Sequence, residues 1–487
     1  MFKILSTIIL LSLSINVFSQ NDSIDNYIES QMAFRKIPGL QLAIVKNNQI
    51  IKRESYGLAN LEDSVVVDNE TVFSINSITK AFVGVAIMQL VEEGKLEVNN
   101  EISTYLPDLP EAWKFITLRQ LLTHTSGLPH ILANDVGDLI SNKGIEASWE
   151  LVKTLPMISQ PNTKFDYNQL GYLLIGMIIN KVSGKSFIDY ITENQLRKVG
   201  MKRTEEAGFS NLNNVVQHSA RRYTYYYGPT ISNIRSEVYP TLLQTAAGMG
   251  STAEEMANWI IALQNGTLLS EKSSNDELWK PAILNNSQTQ GFNDLLNGYA
   301  LGWPVANRSE HPAYAPAGGN RAAFFIYPND DLSIIVLTNL MGGLPSKFID
   351  EIAGYYLPDM KVENGFDLAP SIKILLKELE LKDYEKSISI AEEIQKNEKI
   401  TFSESDLNSA GYTLIEKNKM DKALEIFKLN AHLFPNSGNV FDSLAETYML
   451  LEMDYEALKY YEIALKINPE NRNAKKQIEK LNKRSKN

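Results

Sequence analysis

Cysteine is absent from the 487 residues, which excludes disulfides, thiol chemistry and a lipid-modified N-terminal cysteine. Histidine is scarce. None of the five (His124, His130, His218, His311, His432) stands in a metal-ligand pattern such as His-Glu-x-x-His, so neither a metal nor a cofactor is expected. Positive charge is in deficit, with 47 Lys and Arg against 58 Asp and Glu and a formal net charge of -11. That balance argues against nucleic acid as a partner. The tail is a local exception: Lys475, Lys476, Lys480, Lys483, Arg484 and Lys486 read as one solvated basic helix.

Long apolar runs are missing after the first twenty residues, so no integral membrane segment is expected downstream. The first nineteen are different in kind. Lys3, the apolar run Ile4 to Val17 and the Val17-Phe18-Ser19 exit read as a signal peptide removed before Gln20. An uncleaved anchor is the alternative, against which the run is short and interrupted by serines. The expected location is periplasmic or secreted. At 44% hydrophobic and 22% charged, the remainder suits one large domain and a smaller one.

The most informative stretch runs from Phe73 to Leu96. Ser77 and Lys80 stand three apart, which on a helix places a hydroxyl and an amine on one face. A serine is a poor nucleophile until a base takes its proton, and a desolvated lysine can serve as that base. After Lys80 the chain reads Ala-Phe-Val-Gly-Val-Ala-Ile-Met, apolar all round, as in a buried helix. Taken alone, Ser-x-x-Lys is more often a helix start with a solvated lysine. Here no other serine in the chain has a lysine three positions on.

Around this stretch, 22–35 reads as a first helix, and Leu40–Lys46 with Ile50–Tyr56 as a hairpin turning on Asn47-Asn48. Residues 116–128 read as a short helix and a polar turn closed by Gly127, with His124 a buried packing residue. At 165–176 a polar corner carrying Tyr167 leads into an apolar helix closed by Lys181 and Gly184. Near two cationic groups, the Tyr167 phenol is expected to titrate low enough to pass protons; an amphipathic tyrosine at a helix mouth is the plainer reading. The tyrosines and arginines between Ser210 and Pro240 read as surface or loop packing, with a cleft lining as the alternative. Ser251 or Thr252 caps a helix from Ala253. Strands follow at 322–327 and 332–337, then a helix over 345–356. Gly318 and Gly319, just before the first of these strands, permit close backbone approach to a ligand and so an oxyanion hole.

From about Lys361 the chain turns helical and charged. Ala423 and Ala457, Phe427 and Tyr461, Pro435 and Pro469 keep a separation of 34 residues, the period of tetratricopeptide repeats. Two repeats fit, about 407–436 and 439–470, after a degenerate helical pair at 371–396.

In this order, Ser77-Ile-Thr-Lys80, Leu121-Leu-Thr-His-Thr-Ser-Gly-Leu128, Tyr167-Asn-Gln169, Ala246-Ala-Gly-Met-Gly-Ser-Thr252 and Gly318-Gly319 resemble the serine β-lactamase and penicillin-binding protein superfamily, especially its class C and esterase-like branch. The resemblance covers about Ile24 to Pro358. It implies an α+β, β-lactamase/transpeptidase-like fold, an antiparallel sheet flanked by helices with a helical region opposite, followed by an all-α tetratricopeptide (TPR)-like repeat domain. The expected boundaries are 1–19 signal peptide, 20–360 hydrolase domain, 361–405 helical linker or degenerate repeat and 406–487 repeat region. By position, the resemblance makes Ser77 the acylated nucleophile, Lys80 its proton partner and Tyr167 a second acid and base, with the Ser77 and Gly319 amides as oxyanion hole. It also departs from the family's pattern. Gln169 stands where an asparagine is usual, and Pro316-Ala317-Gly318 replaces lysine-threonine-glycine, removing the groups that ordinarily recognise a substrate carboxylate.

The expectation is an exported serine hydrolase acting through an acyl-serine on an ester, amide or peptide, with weak β-lactam turnover. Its substrate lacks a carboxylate or is bound by Arg321. Two other readings stand beside it: a weakly catalytic or non-catalytic scaffold that binds partners, and a D-Ala-D-Ala carboxypeptidase-type cell-wall enzyme. The expected partners are a small-molecule or peptide substrate and a protein or peptide at the repeats.

Overall fold

The computed structural model describes residues 23–133, 138–234, 237 and 239–484; the expected signal peptide lies outside them. The chain divides into two compact units, one of residues 35–349 and one of residues to Phe34 together with Asp350 onwards.

In the first unit Asn47 and Asn48 take φ of 50° and 58°, the left-handed pair that short asparagine side chains tolerate. They turn the hairpin of Gly39–Lys46 and Gln49–Asn60. On its other side Gly39–Lys46 pairs with Leu332–Thr338, Leu42 opposite Val336, and that strand pairs in turn with Ala322–Tyr327. The sheet runs on through Ala313–Tyr314, Pro304–Ala306 and Gly298–Tyr299, all pairings antiparallel, with nine strands among the described residues. Ala322–Tyr327 and Leu332–Thr338 are buried throughout, which is why they read as continuous apolar runs rather than alternating ones.

The helix Ala253–Gln264, capped by Thr252, packs on the sheet's central strands. Against it lies Thr79–Glu92, in which every residue from Thr79 to Leu90 is buried. Phe82 stacks on Trp259 with ring centres 4.0 Å apart. Ser77 does not sit inside this α-helix as the sequence suggests. It lies in a preceding 3-10 turn, Asn76–Ile78, because Asn76 is left-handed (φ 45°) and the α-helical path begins only at Thr79. The expected helix 345–356 is likewise divided, into a turn Pro345–Lys347 and a short helix Ile349–Ala353, where Phe348 leaves helical φ at -129°.

In the second unit, Pro370–Leu381 and Ser387–Glu398 precede Glu404–Glu416, Met420–Leu433, Gly438–Leu450, Asp454–Ile467 and Arg472–Arg484. Glu404 and Gly438 start successive hairpins 34 residues apart, as do Met420 and Asp454 the return helices. Ala423, Phe427, Ala457 and Tyr461 are fully buried. Gly411 makes room for the Phe427 ring, which a Cβ at that position would meet at 2.4 Å.

Candidate active site

The turn bearing Ser77 is held from several directions. Phe73–Ser74 pairs antiparallel with Gly250–Ser251, and the Ile75 N–H donates to the Met249 carbonyl at 3.0 Å. Asn76 Oδ1 accepts from Ser74 Oγ at 2.7 Å, and the same side chain hydrogen-bonds the Tyr239 phenol. Thr79 Oγ1 donates back to the Asn76 carbonyl at 2.6 Å. Ser77 thus opens a helical segment, where backbone N–H groups have no acceptor within the helix. Against this turn presses Ala317–Gly318. A Cβ on Gly318 would stand 2.0 Å from the Ile75 carbonyl oxygen and 3.0 Å from the Ser77 nitrogen, so only glycine fits there. Gly319 follows at φ 56°.

Lys80 is completely buried. Its Nζ donates to the Ala246 carbonyl at 2.6 Å and lies 4.6 Å and 4.9 Å from the ring centres of Tyr167 and Tyr172. Two ring faces and a carbonyl favour the ammonium, but none is a full charge. Desolvation outweighs them and drives the Lys80 pKa well below the ordinary lysine value.

Tyr167 hydrogen-bonds Ser77 and Gln169. The low titration expected for it is corrected by the structure: burial pushes its phenol up, more than those hydrogen bonds pull it down. Lys80, whose Nζ lies 4.6 Å from the ring centre, is itself held toward the neutral amine. Tyr167 is therefore a neutral phenol, able to give a proton and poorly able to take one. Gln169 places its side-chain oxygen in the interior without a hydrogen-bond partner among the described residues, next to the phenol it supports.

These groups meet at a cavity of ≈ 550 Å³ whose walls include Ser77, Tyr167, Gln169 and Gly319, with Leu132, Ile234, Leu243 and Met341 as apolar lining. Gly318 backs the nucleophile turn and Lys80 is buried against the Tyr167 ring. Arg321 is placed elsewhere. Fully buried, it gives Nη1 and Nη2 to Glu237 at 3.0 Å and 2.6 Å, and it is Glu237 that reaches the cavity wall. Among the described residues that line the cavity, none carries a positive charge.

Asn76, Glu237, Tyr239, Tyr226 and Tyr227 were not singled out by sequence as site residues, yet all five line the cavity. Tyr226, Tyr227, Ile234, Glu237 and Tyr239 line the cavity, in keeping with the cleft alternative for 210–240, while Tyr226 and Tyr227 also stay exposed at the surface as the first reading had it; the tyrosine run was the available signal. Among the described residues no cluster of His, Asp and Glu is placed to hold a metal ion, and no helix is long and apolar enough to cross a membrane.

An antiparallel sheet, a buried lysine one turn beyond a serine, and a glycine strand pressed on that serine define the β-lactamase/transpeptidase class of fold. The chain belongs to the Beta-lactamase family, whose pattern it matches over residues 24–354. It is similar to Protein flp of Staphylococcus aureus (strain N315), 29% identical over 345 residues, 68% of this chain and 66% of that protein. The match thus spans just under two thirds of that relative's length. Among solved structures, the octameric penicillin-binding protein homologue from Pyrococcus abyssi superposes with a TM-score of 0.60 at 23% identity, over 73% of this chain and 81% of that one. The D-amino acid amidase from Ochrobactrum anthropi SV3 gives 0.58 at 19% identity, over 70% and 99%. At those identities the likeness is one of fold.

Proposed function

We propose that this protein is a serine hydrolase for esters or amides that carry no carboxylate beside the scissile bond, working through an acyl-Ser77 intermediate. The observation that carries the reading is Lys80: an amine sealed from water, hydrogen-bonded to a carbonyl and pushed toward its neutral form, one helical turn after a cavity-lining serine. A neutral amine is a base. In this reading Lys80 takes the Ser77 Oγ proton as the oxygen attacks the acyl carbon, and the Ser77 and Gly319 amides receive the oxyanion, a contribution of about 3 kcal/mol for each donor. Tyr167, a neutral phenol, gives its proton to the leaving alcohol or amine. The Lys80 proton then passes to the Tyr167 phenolate, which resets both groups; water attacks the acyl-enzyme as Lys80 takes its proton, and Lys80 returns that proton to Ser77 Oγ as the acid is released.

The lack of a cation among the described lining residues and the engagement of Arg321 by Glu237 support a substrate without a carboxylate. They weigh against the D-Ala-D-Ala carboxypeptidase reading, which requires a cation for the terminal carboxylate. An ester or amide substrate is also in keeping with the names of two fold neighbours, the D-amino acid amidase and EstCE1, a hydrolase with promiscuous acyltransferase activity. The scaffold reading draws its support from Pro316-Ala317-Gly318, where the family's cation and hydroxyl are missing; a desolvated lysine with no partner of opposite charge among the described residues opposes it.

Export by the Met1–Ser19 signal peptide, and peptide binding by tetratricopeptide repeats in the second unit, belong to the same proposal. The 34-residue spacing of the hairpins supports the second. The test is a panel of matched esters and amides whose leaving groups do or do not carry a carboxylate, run on wild type and Ser77→Ala. Turnover of neutral esters or amides that Ser77→Ala abolishes is expected, with slow acylation by penicillins. Preferential, rapid turnover of carboxylate-bearing peptides or β-lactams would refute the proposal.

A further inference from the structure

We propose that His124 is the positioning residue for Tyr167, an inference that rests on Tyr167 being the proton donor to the leaving group. The corner that carries Tyr167 hangs on this one histidine from both sides. The Asp166 N–H donates to the His124 carbonyl at 2.8 Å, and the Asn168 N–H donates to His124 Nδ1 at 3.0 Å. Between those two bonds the imidazole lies against the Tyr167 ring, centres 4.3 Å apart.

His124 is itself fixed. It sits at φ 57°, a region entered far more readily by Asn, Asp and His than by other side chains. On either side, the Thr123 and Thr125 hydroxyls lie 3.0 Å apart, and Thr125 is tied to Asn162 by its hydroxyl at 3.0 Å and its carbonyl at 2.8 Å. Tyr172 and Tyr299 close over the ring, centres 5.1 Å and 4.8 Å away.

Because Nδ1 accepts a backbone N–H, the ring hydrogen is on Nε2, and the imidazole is neutral. Burial holds it there. His124 does not line the cavity and meets no substrate; it acts through the Tyr167 corner. A side chain that only filled the space would leave the Asn168 N–H buried with no acceptor, and the corner would turn to find one.

Leaving groups provide the test. A nitrophenolate departs without a proton, whereas an alkoxide needs one from Tyr167, so a displaced Tyr167 penalises alkyl esters selectively. Turnover of a 4-nitrophenyl ester and an ethyl ester of the same acid is measured per live serine, counted by fluorophosphonate titration. For His124→Leu, and for the polar His124→Gln, whose carbonyl falls beyond the Nδ1 position, ethyl ester turnover is expected to drop about 100-fold and nitrophenyl ester turnover less than about threefold. Tyr167→Phe should give the same pattern. His124→Asn places Oδ1 where Nδ1 stood and tolerates the same φ, so it should recover most of the alkyl ester rate. Equal losses on both esters, or His124→Asn no better than His124→Gln, would overturn the inference. A wild type that titrates with fluorophosphonate yet turns over neither ester strikes the hydrolase reading itself, and the inference falls with it.

Discussion

Lys80 separates chemistry from architecture at the scale of one side chain. Burial holds its pKa well below the ordinary 10.5, so between the folded and unfolded values the unfolded chain binds more protons and stability rises with pH. Lys80→Met keeps the volume and removes the amine. Chemical denaturation across a pH series should show that rise in wild type and its loss in the variant. Over the same series the wild type's fluorophosphonate labelling should climb through a midpoint well below 10.5, and Lys80→Met should label about 10² to 10⁴ times more slowly. Glu237 poses the opposite case. It is 7% exposed in its pair with Arg321, and Arg222 lies 3.5 Å away. Glu237→Gln leaves buried guanidinium charge uncompensated, and a loss of about 3 to 5 kcal/mol in denaturant unfolding is expected. Ser77, Lys80 and Tyr167 were legible in sequence because spacing and a following apolar helix mark them. Glu237 and Tyr239 were not: they lie in a stretch without periodicity, and their place on the wall is decided by pairing with residues 84 and 163 positions away in the chain, Arg321 and Asn76.

At the scale of elements, the hairpin was readable because Asn47-Asn48 names its own turn geometry, and the helices at 169 and 253 because their caps do. The 3-10 turn at Ser77 was not readable. Asn76 is left-handed where Ser74, Thr79 and Tyr239 hold it, and none of that is local pattern. The strand Ala317–Gly318 carries the sharpest prediction here. In Gly318→Ala the new methyl meets the Ile75 carbonyl, and the strand or the nucleophile turn must move. Circular dichroism should report a folded protein weakened by about 1 to 3 kcal/mol. Its acylation rate should fall about 10² to 10³-fold, as expected for a displaced oxyanion donor. Unchanged acylation would remove Gly318 and Gly319 from the site.

The whole molecule has two units with separate hydrophobic cores, and the second announced itself through the recurrence of small and aromatic residues at 34. What the period did not convey was the close approach at Gly411, since a glycine inside a helix normally counts against it. Gly411→Ala crowds the Phe427 ring and should cost about 1 to 3 kcal/mol, seen by calorimetry as a shift in one transition, with fluorophosphonate labelling of Ser77 unchanged within about twofold.

The most direct measurement of the central claim is intact mass after fluorophosphonate treatment of wild type, Ser77→Ala and Lys80→Met, each verified as folded. The account predicts one adduct on the wild type, none on Ser77→Ala and a far slower one on Lys80→Met. A folded wild type that takes no adduct, or a Ser77→Ala protein that labels as well as wild type, would contradict it.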